Sequence, residues 1–116
     1  MLITLVELPE FIRSSKKLLS QKEKDNLFFH LSINPKAGNV MPGTNGVRKL
    51  RWARNSKGKS GGVRVIYFYY DEQTPLFLLT IFVKGTKANL TKNERNELAK
   101  LVNVLIQQYR KKGKKK

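Results

Sequence analysis

The sequence contains no cysteine and one histidine, His30. Without cysteine there are no disulfides and no thiolate metal sites, and the redox compartment is left open. One histidine rules out a His-rich metal site. His30 also lies on a helical pattern with no carboxylate at an obvious spacing, so a solvated or half-buried helix residue is the plainer reading than a catalytic one. No apolar run approaches the roughly 18 residues that a membrane span requires. The opening MLITLVELPEF carries Glu7 and Glu10 where a signal peptide would stay apolar. A soluble, cytoplasmic protein without metal or cofactor is expected. Negative charge is the scarcest commodity, with 8 Asp and Glu against 24 Lys and Arg. Between Asp25 and Asp71 there is none at all.

That acid-free interval holds Lys36, Arg48, Lys49, Arg51, Arg54, Lys57, Lys59 and Arg64. A cationic surface without interspersed carboxylates attracts polyanions, because nothing nearby neutralises it. Nucleic acid is the partner this suggests. The end of the chain, RKKGKKK, contributes six of the cations, and removing them from the net charge of +16 leaves +10 on residues 1–109. The body of the protein is therefore basic in its own right. A membrane surface is also anionic, but binding one calls for an amphipathic helix with a cationic and a bulky apolar face. No segment here shows that pattern.

At 116 residues the chain is expected to form a single domain over 1–109, followed by a basic, disordered tail over 110–116. Residues 2–6 read as a strand, and Pro9 punctuates its exit. A helix is expected over about 10–19. A second helix begins at Ser20, where Glu23 completes a capping-box pattern, and Asn34-Pro35 ends it. Residues 36–46 read as loop, and strands follow over 47–53, 62–70 and 76–83. Thr91 and Glu94 form another capping box, opening a helix with Leu98, Leu101, Val102, Leu105 and Tyr109 on one face. The order β-α-α-β-β-β-α predicts an α+β fold, with a mostly antiparallel twisted sheet and helices packed on one face.

Period two assigns the side chains to faces. Lys49 and Arg51 oppose Arg48, Leu50 and Trp52; Arg64 lies with Ile66, Phe68 and Tyr70, away from Val63, Val65, Tyr67 and Tyr69. Lys84 continues the series Leu78, Thr80, Phe82. Antiparallel pairing then makes Arg64 and Lys84 neighbours at one end of the sheet, where Arg51, Arg54 and the 54–61 loop complete a cationic cleft. The tyrosines at 67, 69 and 70 are base-stacking candidates, though alternation makes most of them core or sheet-face residues first.

The run Ala53 to Ser60, ARNSKGKS, has the outline of a phosphate-binding loop. That motif needs a helix to begin at the Lys-Ser pair, whereas Gly61-Gly62 leads into an aromatic, β-branched strand. Nucleotide hydrolysis is therefore disfavoured. The terminal lysines supply charge without fixed geometry, while the central cations are carried on strands and a tight loop.

Several segments together resemble the HigB branch of the RelE/ParE toxin superfamily. They are Asn34-Pro35, Gly38, the run Pro42 to Gly46, Arg48 to Arg51, Lys57-Gly58-Lys59, the tract Gly61 to Tyr67, and Leu79-Thr80-Ile81 with Lys84. The resemblance covers nearly the whole chain to about residue 106 and implies the element order given above. It also implies a ribosome-dependent endoribonuclease (an mRNA interferase) that cuts translated messenger RNA in the A site, a hydrolase that inhibits translation. Its partners would be mRNA, ribosomal RNA and a cognate antitoxin with a helix-turn-helix domain, through which alone it would meet operator DNA. By motif, Arg64 matches the arginine that stabilises the scissile phosphate, Lys57 and Lys59 the loop lysines, and Lys84 the basic residue after the last strand. Arg48, Lys49, Arg51, Arg54 and Lys87 are the expected RNA contacts. Where relatives commonly carry an acidic residue and Asp-Leu beyond the lysine matching Lys84, this chain has Thr86 and Asn89-Leu90.

RNA cleavage needs no metal when the RNA's own 2′-OH attacks the adjacent phosphorus. Arg64 and neighbouring lysines would stabilise the charge that develops. A free lysine has a pKa of ~10.4, and crowding by like charge lowers it, so Lys57 or Lys84 is a candidate acid or base. Two other readings stand beside this one: a gyrase-inhibiting toxin of the same superfamily, and a basic RNA- or DNA-binding module without chemistry.

Overall fold

In the computed structural model the chain runs β1 (Leu5–Glu7), α1 (Pro9–Leu18), α2 (Gln21–Ile33), β2 (Asn39–Val40), β3 (Val47–Trp52), β4 (Val63–Phe68), β5 (Leu76–Val83) and α3 (Lys92–Lys114). The structure describes residues 3–53, 62–83, 85 and 90–114. The strands form one sheet in the order β1-β5-β4-β3-β2, antiparallel except where β1 lies parallel to β5. The α+β class and element order match the expectation. One short strand is added, since β2 pairs Asn39 with Lys49 and Val40 with Arg48 inside the stretch read as loop.

The helix starts follow from local chemistry. Ser20 Oγ accepts from the Glu23 amide at 3.1 Å, and the Glu23 carboxylate accepts from the Ser20 amide at 2.9 Å. Thr91 and Glu94 repeat this exchange at 3.0 and 2.8 Å. Each box satisfies two amides that a helix start otherwise leaves unpaired. The backbone of α3 stays helical to Lys114, so the boundary expected at 109 falls inside the helix. Lysine and arginine are good helix formers, and cations suit a helix C-terminus.

The packing corrects one expectation, that all helices share a face. Phe11, Leu27 and Leu31 from α1 and α2 pack with Val63, Val65, Tyr67, Leu76 and Leu78. Val102 and Leu105 from α3 pack with Val47, Ile66, Phe68, Phe77 and Leu79 on the other side. The cause is visible in β4, whose residues are apolar on both faces apart from Arg64, so each face needs a cover. A second correction concerns β5. Tyr67 pairs with Leu78 and Ile66 with Thr80, which leaves Leu79 as a bulge. Beyond it the alternation is reset: Leu78 faces α1 and α2, while Thr80 and Phe82 lie on the α3 side.

A buried network holds the chain between α2 and β3. The Tyr67 hydroxyl donates to the Pro35 carbonyl and accepts from the Gly38 amide, each at 2.8 Å. Arg48 Nη1 donates to the Gly38 carbonyl at 2.7 Å and to the Lys36 carbonyl at 3.3 Å. Gly38 is required here because a Cβ would meet the Lys49 carbonyl oxygen at 2.9 Å and the Tyr67 ring at 3.0 Å. Further on, Gly43, Asn45 and Gly46 take positive φ. Thr44 Oγ1 donates to the Met41 carbonyl at 2.7 Å and accepts from the Val47 amide at 3.0 Å. The turn is tied to α3 by Asn45, which donates to Asn103 at 3.1 Å.

Candidate functional site

The site is built on the α3 side of the sheet, at the end where β3 finishes and β4 begins. The register places Arg51 directly opposite Arg64, and Arg64 directly opposite Phe82. One step along the same face, Lys49 lies opposite Ile66, which lies opposite Thr80. Directly opposed residues of an antiparallel pair have Cβ atoms roughly 4.5–5.5 Å apart, and like charges so placed are destabilising. The pair is retained against that cost in a stretch with no acidic residue. Arg64 is half-buried and Arg51 exposed. Among the described residues Arg64 Nη1 reaches the carbonyl of its neighbour Val63, at 3.5 Å, the long limit of a hydrogen bond. Among the described residues neither arginine forms an ion pair. Planar guanidinium groups in this state are suited to a bidentate anion such as phosphate.

Of the residues singled out from the sequence, the fold brings Lys49, Arg51 and Arg64 together. Arg48 is set apart: it pairs across the sheet with Tyr67, on the opposite face, and its guanidinium holds the 36–38 backbone. Arg54, Lys57, Lys59, Lys84 and Lys87 lie outside the described residues. Tyr67 is fully buried and is no base-stacking surface; burial raises its pKa, against the lowering effects of the Gly38 hydrogen bond and the Arg48 charge. Tyr69 is also raised, by burial and then by Glu72 and Asp71. His30 is half-buried and lies against Trp52, with ring centroids 5.2 Å apart, on the α2 side of the sheet. Among the described residues no three His, Cys, Asp or Glu side chains converge where they would hold a metal ion. No helix among them is long and apolar enough to cross a membrane.

One carboxylate near this face escaped the sequence reading. Glu10, in the first turn of α1, accepts from Ser14 at 3.0 Å and from Thr80 at 3.4 Å, and also pairs with Arg13. The Ser14 hydrogen bond, with lesser help from Arg13 and Thr80, lowers its pKa against the opposing effect of burial. Nothing in the sequence signals this approach, because it depends on the bulge that turns Thr80 toward the α3 side.

Comparison with known proteins agrees with the architecture. A solved structure of the Escherichia coli toxin RelE, an arginine-to-alanine double mutant in the free state, superposes with a TM-score of 0.58. The match covers 88% of this chain and 99% of that one at 19% identity, a similarity of fold. In sequence, the family described as "RelE toxin of RelE / RelB toxin-antitoxin system" matches residues 41–115. The matched region takes in β3, β4, β5, α3 and the Arg51–Arg64 pair. This chain belongs to the RelE family of toxins of toxin–antitoxin systems.

Proposed function

We propose that this toxin acts in the cytoplasm as a ribosome-dependent endoribonuclease of the HigB type, cutting translated mRNA in the A site and so arresting translation. The observation that carries the reading is the Arg51–Arg64 pair, two arginines directly opposed across the β3–β4 ladder and without an ion-pair partner among the described residues. Such a pair is tolerable when an anion is to occupy it. In the proposed reaction the 2′-oxygen of one nucleotide attacks the adjacent phosphorus, and the bond from phosphorus to the 5′-oxygen breaks. A 2′,3′-cyclic phosphate and a 5′-hydroxyl result, without a metal. Arg64 stabilises the charge on the non-bridging oxygens, a role in which a preorganised donor is worth more than it would be in water. Lys49 and Arg51 hold the neighbouring phosphates. Lys57, Lys59 and Lys84 are assigned to the same site, with Lys57 or Lys84 moving a proton, and Arg54 and Lys87 to RNA contacts. Arg48 is withdrawn from that set and serves the loop it binds.

A cognate antitoxin with a helix-turn-helix domain would hold the toxin inactive and carry it to operator DNA. The ribosome would supply alignment of the message, which accounts for a site with so few acid–base groups. Inducing the chain in growing bacteria and mapping the 5′ ends of transcripts tests the reading. In-frame cuts within translated messages are expected. DNA damage with intact messages would instead assign the chain to the gyrase-inhibiting toxins, and binding without either effect to a non-catalytic module.

A further inference from the structure

The chain's single tryptophan, Trp52, ends β3 one residue beyond Arg51 and lies on the opposite side of the sheet. Part of it packs on the core of that side, and the His30 ring lies against it with centroids 5.2 Å apart. The rest is left uncovered. Trp52 is half-buried and lines a pocket of about 210 Å³ with Glu23, Asn26 and Ala53. That volume is below the roughly 300–1,000 Å³ of clefts that enclose drug-sized ligands, and it suits one flat ring system. The rim is polar. Asn26, exposed on α2, offers both donor and acceptor in its carboxamide. The Glu23 carboxylate, held by the Ser20 amide at 2.9 Å, disfavours a phosphate in the same space.

We propose that this pocket receives an unpaired RNA base, stacked on the Trp52 indole with its edge against the Asn26 carboxamide. The proposal rests on the RNA reading above and adds a base-binding site on the face of the sheet away from the arginine pair. Consecutive strand residues point to opposite faces about 3.3 Å apart along the chain, so Arg51 and Trp52 flank the same strand end. A strand of RNA with phosphates at Arg51 and Arg64 therefore turns a neighbouring base over the end of β3 to reach the indole. It stays beside cations as it does so, because the residues that follow Trp52 include Arg54, Lys57 and Lys59. Stacking on an aromatic ring, with hydrogen bonds along the base edge, is how unpaired bases are held in RNA sites. An apolar peptide segment is the poorer occupant, since the pocket offers one aromatic surface inside a polar rim. Messenger and ribosomal RNA both present unpaired bases, and cleavage on ribosomes separates the two sources.

The test takes the full chain, without ribosomes, and a short unstructured oligoribonucleotide, with an abasic ribose-phosphate strand of equal length as control. Emission from Trp52 is expected to be quenched saturably by the strand with bases and left unchanged by the abasic one. Trp52→Leu keeps an apolar side chain on the core and is expected to raise Kd for a labelled strand by about tenfold, the order of one stacked base. Asn26→Ala, at an exposed helix position, should raise the Kd read from quenching by about two- to tenfold. Phe29→Leu is the control and should stay within twofold of wild type, because Phe29 is 66% exposed on the same helix but does not line the pocket. If Trp52→Leu does not fold, quenching of wild type and Asn26→Ala decides the matter. On programmed ribosomes, Trp52→Leu slowing the cuts at some codons only assigns the base to the message; uniform slowing assigns it to ribosomal RNA. Absent quenching, equal quenching by the two strands, or a folded Trp52→Leu that binds and cuts within twofold of wild type overturns the site. A chain that shows the quenching and the loss in Trp52→Leu but never cuts messages leaves this inference standing while the nuclease reading fails.

Discussion

Replacing Arg64 with alanine separates function from stability in a way the geometry makes quantitative. In the folded protein Arg64 faces Arg51 across the β3–β4 ladder. Opposed like charges in that arrangement cost roughly 0.2–1 kcal/mol, which the substitution relieves. Against this stands the lost burial of a half-exposed aliphatic stem, about 0.8 kcal/mol for each methylene that is fully covered. The two effects oppose each other and are of similar size. The net change in stability is expected to stay within about 1 kcal/mol, or roughly 4 °C in Tm for a domain of this length. Activity is expected to behave differently, because losing one preorganised charge donor commonly costs about 2.7–4 kcal/mol of transition-state stabilisation. Cleavage of ribosome-bound message should therefore fall by about 100- to 1,000-fold. Thermal unfolding at low and high salt, run beside the cleavage assay, measures both quantities. The stability of Arg64→Ala relative to wild type should be greatest at low salt and decline as salt screens the repulsion. A folded variant that cuts as fast as wild type refutes the role given to Arg64. So does a loss of activity that merely follows unfolding.

Gly38→Ala should destabilise the protein by about 1–3 kcal/mol in urea titrations, because the new methyl meets the Lys49 carbonyl and the Tyr67 ring at about 3 Å. Tyr67→Phe should cost about 1–3 kcal/mol near neutral pH, since it orphans the Gly38 amide and the Pro35 carbonyl. That substitution also carries a pH signature. Burial raises the folded-state pKa of Tyr67 above the ordinary tyrosine value of 10.0, so its contribution is intact below pH 10 and is lost as pH rises through the folded value. The stability gap between wild type and Tyr67→Phe should accordingly narrow above pH 10. Finally, at least one of Lys57→Arg and Lys84→Arg should be severely impaired in message cleavage, because arginine does not deprotonate in proteins. Full activity of both across a range of pH would mean that neither lysine transfers the proton.

Local rules carried much of this structure. Ser20–Glu23 and Thr91–Glu94 mark the starts of α2 and α3, and period two put Lys49 with Arg51 on one face of β3 and Arg64 with Ile66 and Phe68 on one face of β4, while the register that joins the two faces came from the fold. Features that depend on contacts between distant residues were not legible. The bulge at Leu79 resets the faces of β5, and nothing local to Leu76–Val83 announces it. β2 exists because Tyr67 and Arg48 hold residues 35–38 against β3, so its two residues owe their strand pairing to side chains far along the chain. Arg48 looked like one more member of the cationic cluster, and only the buried carbonyls it binds reveal a structural task. The placement of α3 opposite α1 and α2 was implicit in the two apolar faces of β4, although the strand order alone does not express it. Glu10 approaches this face of the sheet from α1 through Thr80, a contact 70 residues apart in sequence.

The central claim is that the arginine-paired face cuts RNA by the RNA's own 2′-oxygen when the ribosome presents it. The most direct measurement incubates the purified chain with messenger RNA, once alone and once on programmed ribosomes with an empty A site, and determines the position and end chemistry of the products. The account predicts cuts only in the presence of ribosomes, within the A-site codon, leaving a 2′,3′-cyclic phosphate and a 5′-hydroxyl. Intact message on the ribosome, or products bearing a 5′-phosphate, would contradict it.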